Sequence, residues 1–405
     1  MNETSSNPDT TPEDLNALFT TACNHHENNE FEKAVTVYNH IISLIPPSAL
    51  LHFNCGLALY ELGRHNEADE QYRIALKTDA MDPDIPYNHG LNLRRLGQIS
   101  EAITSFQQVL ALGDTSVDTL YNLALCHQDL EQLKEAEQLY TTILATVPGH
   151  TASLNNYAYL CHKSGSISKA IELYSRLLEI NPDHYAARHM FNSLSGKTPD
   201  SAPLEYVETV FDNYADNFEK SLVEKLHYKT PSLLKELYLR HFSNDPEKNC
   251  LDLGCGTGLA GLEFRSYCSS LTGLDISEKM LQKAADKNIY DNLVKDDILH
   301  YLQVSSDVFD MILAADVFTY LGDLSPIFFE CTARSSTGAL LLFSVEESTA
   351  DQFELKATGR FGHSLDYIRK LSKDHGWTLK EVSSSQLRQD KGNWINGHLL
   401  LLEKN

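Results

Sequence analysis

The chain has 405 residues, 42% of them hydrophobic and 22% charged, with a formal net charge of -23. That length accommodates two domains, each with its own core. Residues 1–200 hold 12 basic and 25 acidic side chains and residues 201–405 hold 21 and 31, so both halves are acidic and neither clusters the Lys and Arg that a grip on nucleic acid needs.

Residues 1–15 read as a polar flexible tail, without the charged-then-apolar order of a signal peptide. No apolar run approaches a membrane span. The eight cysteines include no CxxC pair and no metal-ligand spacing appears, so the chain reads as a reduced, cytoplasmic protein without a metal site.

From 16 to 196 the chain repeats. Ala34, Ala68, Ala102, Ala136 and Ala170 stand thirty-four residues apart. An aromatic follows each by four residues (Tyr38, Tyr72, Phe106, Tyr140, Tyr174), and a small residue precedes each by twelve (Ala22, Gly56, Gly90, Ala124, Ala158). This phase, held over five units, resembles the tetratricopeptide repeat. The resemblance implies two antiparallel helices per unit, with small residues at their closest approach and the aromatic filling the gap toward the neighbouring repeat. No such unit buries its apolar face alone, so the array is stable only as a stack. A capping helix is expected over 185–194. Residues 195–200, rich in turn formers, read as the linker to a second domain spanning 197–405.

Asn54, Asn88, Asn122 and Asn156 recur at the same period, two positions before the small residue. In tetratricopeptide arrays that position faces the concave surface, so the four imply a ladder of amides. An amide donates to a carbonyl and accepts from an N–H at once, which suits an extended peptide. The arrangement resembles the asparagine ladder of the O-linked N-acetylglucosamine transferases, with Tyr87 and Tyr121 adding apolar contact beside it. The alternative is that the asparagines bond only within the repeats.

The second domain opens with a helical pattern from Pro203 to Arg240. Within it Tyr214 and Phe218 are four apart, a spacing that also makes an ordinary helix packing pair. Cys250 to Leu253 reads as a buried strand that runs into Gly254, Gly256 and Gly258, with a helix over Leu259 to Phe264. Glycines there permit positive φ and let backbone approach a ligand. Cys255, inside the loop, reads as a small tolerated residue. A second strand ends in Asp275, seventeen residues after the last glycine, where a nucleotide-binding fold puts its ribose-binding carboxylate. Position 259 is Leu, which misses the dinucleotide GxGxxG spacing, and no GxxxxGK[ST] loop occurs.

The run Leu251-Asp252-Leu253-Gly254-Cys255-Gly256-Thr257-Gly258, followed by Gly273-Leu274-Asp275-Ile276-Ser277, resembles the class I S-adenosylmethionine-dependent methyltransferases. The resemblance implies an α/β Rossmann-like domain with a seven-stranded, mostly parallel sheet, and S-adenosyl-L-methionine as cofactor. It assigns the cofactor cradle to Gly254, Gly256 and Gly258, the ribose hydroxyls to Asp275 and the methionine amino group to Asp252. Ile276 and Met280 would flank the adenine, their alternative being core residues; one of Asp296 and Asp297, with Asp297 the better aligned, would accept from its amino group, the alternative being a helix cap; and Tyr214 resembles a lid tyrosine over the methionine end.

Further strands are expected over 292–295, 308–315 and 338–345, then a helix over 366–374 and strands over 378–386 and 398–403. The strand at 308–315 is nearly all apolar, hence buried on both faces, and delivers Asp316 and Tyr320 to the crevice at the sheet's carboxyl end. Gly359-Arg360-Phe361-Gly362-His363-Ser364 resembles an element of tetratricopeptide-containing methyltransferases, and Leu387-Arg388 resembles a second.

Methyl transfer from a sulfonium is an in-line displacement, and holding the two reactants in line contributes roughly 7–11 kcal/mol of the barrier. A base for the acceptor proton is worth about 10²–10⁴-fold. His363 is a candidate base, its alternative being a structural histidine at a helix start. Asp316 and Tyr320 point toward the reacting centre, and Arg360 and Arg388 are candidates for an anion on the acceptor. The reading is a methyltransferase whose repeats recruit a protein substrate or partner. A small carboxylate or phenol acceptor, with repeats used for assembly, is the alternative. A catalytically silent adaptor is a second, against which the intact glycine loop, Asp252 and Asp275 argue. Oligomeric state is left open.

Overall fold

The computed structural model describes residues 11–215, 218–220, 222, 226–242, 248–390 and 392–405. It divides into two compact units, the first ending at Ile180 and the second beginning at Asn181.

The first unit is five helical hairpins: α1 (Pro12–Glu27) and α2 (Phe31–Leu44), α3 (Ala49–Glu61) and α4 (His65–Thr78), α5 (Asp84–Arg95) and α6 (Ile99–Ala111), α7 (Val117–Asp129) and α8 (Leu133–Thr146), α9 (Thr151–Lys163) and α10 (Ile167–Ile180). Residues 1–10 of the expected tail lie outside the described residues, and the rest of it is not tail. Thr11 and Asp14 form a reciprocal capping box with Pro12 at the first helical position, so α1 starts inside the segment read as flexible.

The five phased alanines are fully buried. The aromatics pack first on the small residue of their own hairpin: a Cβ added at Gly56 would come 2.8 Å from the Tyr72 ring, and one at Gly90 2.8 Å from Phe106. They reach the next repeat as well, as the stacked Tyr140–Tyr157 pair shows at 6.2 Å. In these two hairpins the ring sits where a Cβ would be, while Ala22, Ala124 and Ala158 hold the same position, fully buried, in the other three.

Helix α11 (Tyr185–Ser195), expected as a cap on the repeats, falls within the second unit. His189 bonds the Gly359 carbonyl at 2.7 Å and Ser193 donates to the Lys356 carbonyl at 2.7 Å, contacts that a repeat cap would not make. Helix α12 (Leu204–Tyr214) follows, then α13 (Thr230–Leu239).

The sheet contains β1 (Lys248–Leu253), β2 (Cys268–Asp275), β3 (Asn292–Lys295), β4 (Phe309–Ala314), β5 (Ser335–Glu347), β6 (Phe353–Leu355), β7 (Phe361–His363), β8 (Trp377–Asp390) and β9 (Asn393–Lys404). Strands β3-β2-β1-β4-β5 are parallel in that order; β9 joins β5 antiparallel and β8 joins β9. Those seven strands are the expected sheet. Two more, β6 and β7, form a three-residue ribbon on the end of β5 that places the Gly359 to His363 segment beside Glu346 and Glu347.

Strand parity builds two cores. Leu340, Leu342, Met311 and Leu313 face α13 and α14 (Leu259–Phe264), meeting Leu234, Leu237 and Phe264. Leu341, Phe343, Ile312 and Ala314 face α16 (Ile298–Val304), α17 (Ser325–Ala333) and α18 (Leu365–Asp374), meeting Leu302, Phe328 and Ile368. With α15 (Glu278–Ala285) beside β2, helices cover both faces, which is why β4 and β5 read as continuous apolar runs. Among the described residues no helix is long and apolar enough to cross a membrane.

Candidate functional site

Order reverses at β1, flanked by β2 on one side and β4 on the other, and ligands of such sheets bind at the strands' carboxyl ends beside that point. A cleft opens there. The turn after β1 forms one wall. Gly254 has φ +58°, and a Cβ there would lie 2.7 Å from Val317, so the turn is held against the loop after β4 by a contact that only glycine permits.

Asp275, at the end of β2, lies on the same wall. Its Oδ2 accepts from the Gly256 N–H at 2.8 Å and its Oδ1 from the Ser277 N–H at 2.9 Å. Each oxygen retains acceptor capacity. Burial pushes the carboxyl up to about 6, against the lowering effect of those N–H donors. Ile276 adjoins it, and Asp297 lines the cleft while accepting from the His300 N–H at 2.9 Å as the N-cap of α16. Asp297 is therefore both a helix cap and a cleft residue.

Asp252 and Gly258 stand elsewhere than expected. Asp252 is fully buried behind the turn and does not line the cleft; its Oδ2 accepts from the Tyr290 hydroxyl at 2.7 Å, and its Oδ1 has no partner. Burial raises it to about 7, partly offset by that hydroxyl. Gly258 faces the same tyrosine, 3.0 Å from where its Cβ would be, and the Tyr290 ring fills the space that side chains at Gly261 and Gly273 would occupy. Sequence reasoning missed this tyrosine, which braces the turn from beneath. Its signal was the pair of glycines at 261 and 273, which the motif does not require.

Met280 is fully buried and likewise off the cleft wall. Tyr214, 56% exposed at the end of α12, points away. The wall on that side is made by Phe211 and Phe218, whose rings pack edge to face at 6.0 Å. Asp216 and Asn217 of the expected lid lie outside the described residues. Tyr228, unremarked in the sequence, also lines the cleft and donates to the Ala315 carbonyl at 3.4 Å.

Past β4, Asp316, Val317, Tyr320 and Leu321 complete the floor, and Arg360 closes the far end with its guanidinium 5.9 Å from the Tyr320 ring centre. Asp316 holds a left-handed backbone, φ +62°, strained for a non-glycine residue. Arg388 holds its carboxylate. A bulge between Gln386 and Arg388 in β8 turns that guanidinium inward, where it donates to both Asp316 oxygens at 2.7 Å and to Glu346. Arg388 is only 3% exposed, is off the cleft wall and is bound by the chain's own carboxylates, so it is not free to hold an acceptor.

His363, the last residue of β7, is fully buried. Its Nε2 bonds the Gly322 carbonyl at 3.0 Å, its Nδ1 has no partner, and burial drives the imidazole down to about 4. It stands off the cleft wall and takes no proton from a ligand there. The cleft thus unites Gly254, Gly256, Asp275, Ile276, Asp297, Asp316, Tyr320 and Arg360, and leaves out Tyr214, Asp252, Gly258, Met280, His363 and Arg388.

In the repeats, each ladder asparagine is half-buried. Asn122 donates to Tyr87 of the preceding repeat at 3.2 Å and to its own Asp118 carbonyl at 3.0 Å; Asn156 donates to Tyr121 at 2.9 Å. Asn88 donates to the Asp84 carbonyl at 2.8 Å. The residue equivalent to Tyr87 below Asn88 is Phe53, and below Asn54 it is Phe19, so neither rung has a hydroxyl to bond. Tyr87 and Tyr121 tie rungs together rather than merely flanking them.

A protein-family model described as a methyltransferase domain matches residues 251–343, and one described as a tetratricopeptide repeat matches 115–183. A curated relative, the ubiquinone biosynthesis O-methyltransferase of Thiobacillus denitrificans, is 23% identical over 36% of this chain; the match spans 64% of that enzyme's length. Among solved structures, the magnesium protoporphyrin IX methyltransferase of Synechocystis PCC 6803 with bound SAM is 15% identical, covering 50% of this chain and 97% of that one at a TM-score of 0.40. YrrB, a tetratricopeptide protein with an unusual peptide-binding site, is 23% identical, covering 44% of this chain and 91% of its own at a TM-score of 0.41. Phased hairpins in one unit and a switch-point cleft in a sheet of order 3-2-1-4-5 in the other agree with the two matches: the chain joins tetratricopeptide repeats to a class I methyltransferase domain.

Proposed function

We propose that the second unit is an S-adenosylmethionine-dependent methyltransferase and that the repeats recruit a protein. The observation that carries the first part is Asp275, a buried carboxylate on the cleft wall with an acceptor site left on each oxygen, facing a turn whose glycine backbone lies bare. Two adjacent ribose hydroxyls fit those two sites, and Ile276 and Asp297 supply the apolar and acceptor groups that an adenine takes. When bound, the cofactor supplies an activated methyl group on a sulfonium. The chain's part is to hold and dry the reactants: Phe211, Phe218, Tyr228 and Val317 exclude water, which strengthens every polar contact inside. Asp252 and Tyr290 support the turn rather than touch the ligand.

For the repeats, the carbonyl oxygens of the asparagine rungs suit the N–H groups of an extended peptide, that of Asn156 beside the Asn155 amide it already accepts from at 3.3 Å, while N–H groups at 122 and 156 bond tyrosines. A second reading, a small-molecule acceptor, is favoured by the apolar and aromatic lining of the cleft, which offers a peptide backbone few partners. Incubating the protein with methyl-labelled S-adenosylmethionine and a cell extract tests the whole. Label should enter an acceptor fraction in the wild type and not in Asp275→Ala; transfer that survives in Asp275→Ala contradicts the assignment.

A further inference from the structure

Resting on the methyltransferase reading, we infer that the methyl acceptor is a carboxylate on an apolar small molecule, held by Arg360 and esterified without any base from the protein.

Charge in the cleft comes first. Arg360 is the one basic side chain on the wall among the described residues. Behind it lies a cluster in which Arg388, Lys356 and Arg360 share two carboxylates, the buried Glu346 and Asp316 on the cleft floor. Arg388 takes the close contacts: both oxygens of Asp316, and Glu346. Lys356 stands 3.5 Å from Glu346, and Arg360 reaches it only at 3.9 Å. Arg360 keeps 29% of its side chain exposed where Arg388 keeps 3%. Arg360 is thus the cation of the three that faces the cleft, beside Tyr320, its charge held by the field of Asp316, Glu346 and Asp390 rather than by a close ion pair. A planar guanidinium so placed matches a carboxylate.

The second argument is what the acceptor end lacks. A phenol, amine or thiol acceptor sheds a proton and profits from a base. Asp316 is chelated by Arg388, His363 is buried away from the cleft, and burial holds Tyr228 and Tyr320 in their protonated form. Asp296 and Asp297 are on the β3 side, beside Ile276. A carboxylate is already ionised at neutral pH and needs no base. The step balances without a proton: the sulfonium–methyl bond breaks, an oxygen–methyl bond forms, and a cation and an anion become a neutral thioether and a neutral ester. Loss of charge also weakens the hold of Arg360 on the product, which favours release.

The test uses the full chain, methyl-labelled S-adenosylmethionine and a deproteinised small-molecule extract of the source cells. Methyl esters release volatile methanol in alkali, whereas ethers, amines and thioethers do not. Most transferred label should become volatile after alkali, and Arg360→Met should lower transfer at least 10-fold while binding S-adenosylhomocysteine like wild type. Arg360→Lys, which keeps the charge but not the fork, should fall between. Alkali-stable label, label confined to protein, or loss of S-adenosylhomocysteine affinity in Arg360→Met (the guanidinium then serving the cofactor's carboxylate) each overturns the inference. Absence of any transfer, with no S-adenosylhomocysteine binding by wild type, would instead sink the methyltransferase reading beneath it.

Discussion

Asp275 concentrates the behaviour of the cleft in one carboxylate, and its burial gives a pH signature. Unliganded, it titrates near 6. Hydroxyl donors favour the ionised form, so ligand binding lowers that value and expels a proton wherever the free group is still protonated. Affinity for S-adenosylhomocysteine should therefore rise as pH climbs through 6 and level off above it. Calorimetry at pH 6 in buffers of different ionisation enthalpy should detect the released proton, and Asp275→Asn should abolish it. Asp275→Ala should weaken binding by about 2–3 kcal/mol; an unchanged affinity would place the ribose elsewhere. The carboxylate was legible in the sequence because a strand followed by Asp at fixed spacing is a one-dimensional signal. His363 and Arg388 were not, since burial and saturation by distant partners are set by three-dimensional neighbours: Gly322 for one, Asp316 and Glu346 for the other.

Within β9, flanked by β5 and β8, the fold commits itself to one geometry at Gly397. A side chain there would collide with the Val345 carbonyl and with Leu387, both fixed within the sheet. Gly397→Ala should cost about 1–3 kcal/mol in urea unfolding, because sheet backbone cannot step aside. Arg388→Met should cost more, about 3–5 kcal/mol, by leaving Asp316 and the buried Glu346 without their shared cation. Pairing it with Asp316→Asn and Glu346→Gln should recover much of that loss. If the single change is silent, the cluster does not hold the loop after β4. Long elements were readable from apolar runs and spacing, as with β4 and α18. The three-residue strands β6 and β7 carry no such pattern, and the bulge that aims Arg388 is a shift of register rather than a composition.

At the scale of the whole chain, the thirty-four-residue phase made the repeat unit legible from the amino-acid sequence, since every repeat solves the same packing problem. What the period concealed was which rungs are tied. Asn122→Ala and Asn156→Ala remove bonds to the neighbouring repeat and should each lower the stability of the array by about 1 kcal/mol. Asn54→Ala and Asn88→Ala, with phenylalanine below them, should leave stability nearly unchanged while weakening capture of a protein partner. Retention of partner binding by the latter pair would turn attention from a peptide groove to assembly. The central claim, that the second unit is built to hold S-adenosylmethionine, is tested most directly by titrating the full-length protein with S-adenosylhomocysteine in a calorimeter at pH 8. The account predicts one site per chain whose affinity falls in Asp275→Ala and survives in His363→Ala; absence of saturable binding to the wild-type protein would contradict it.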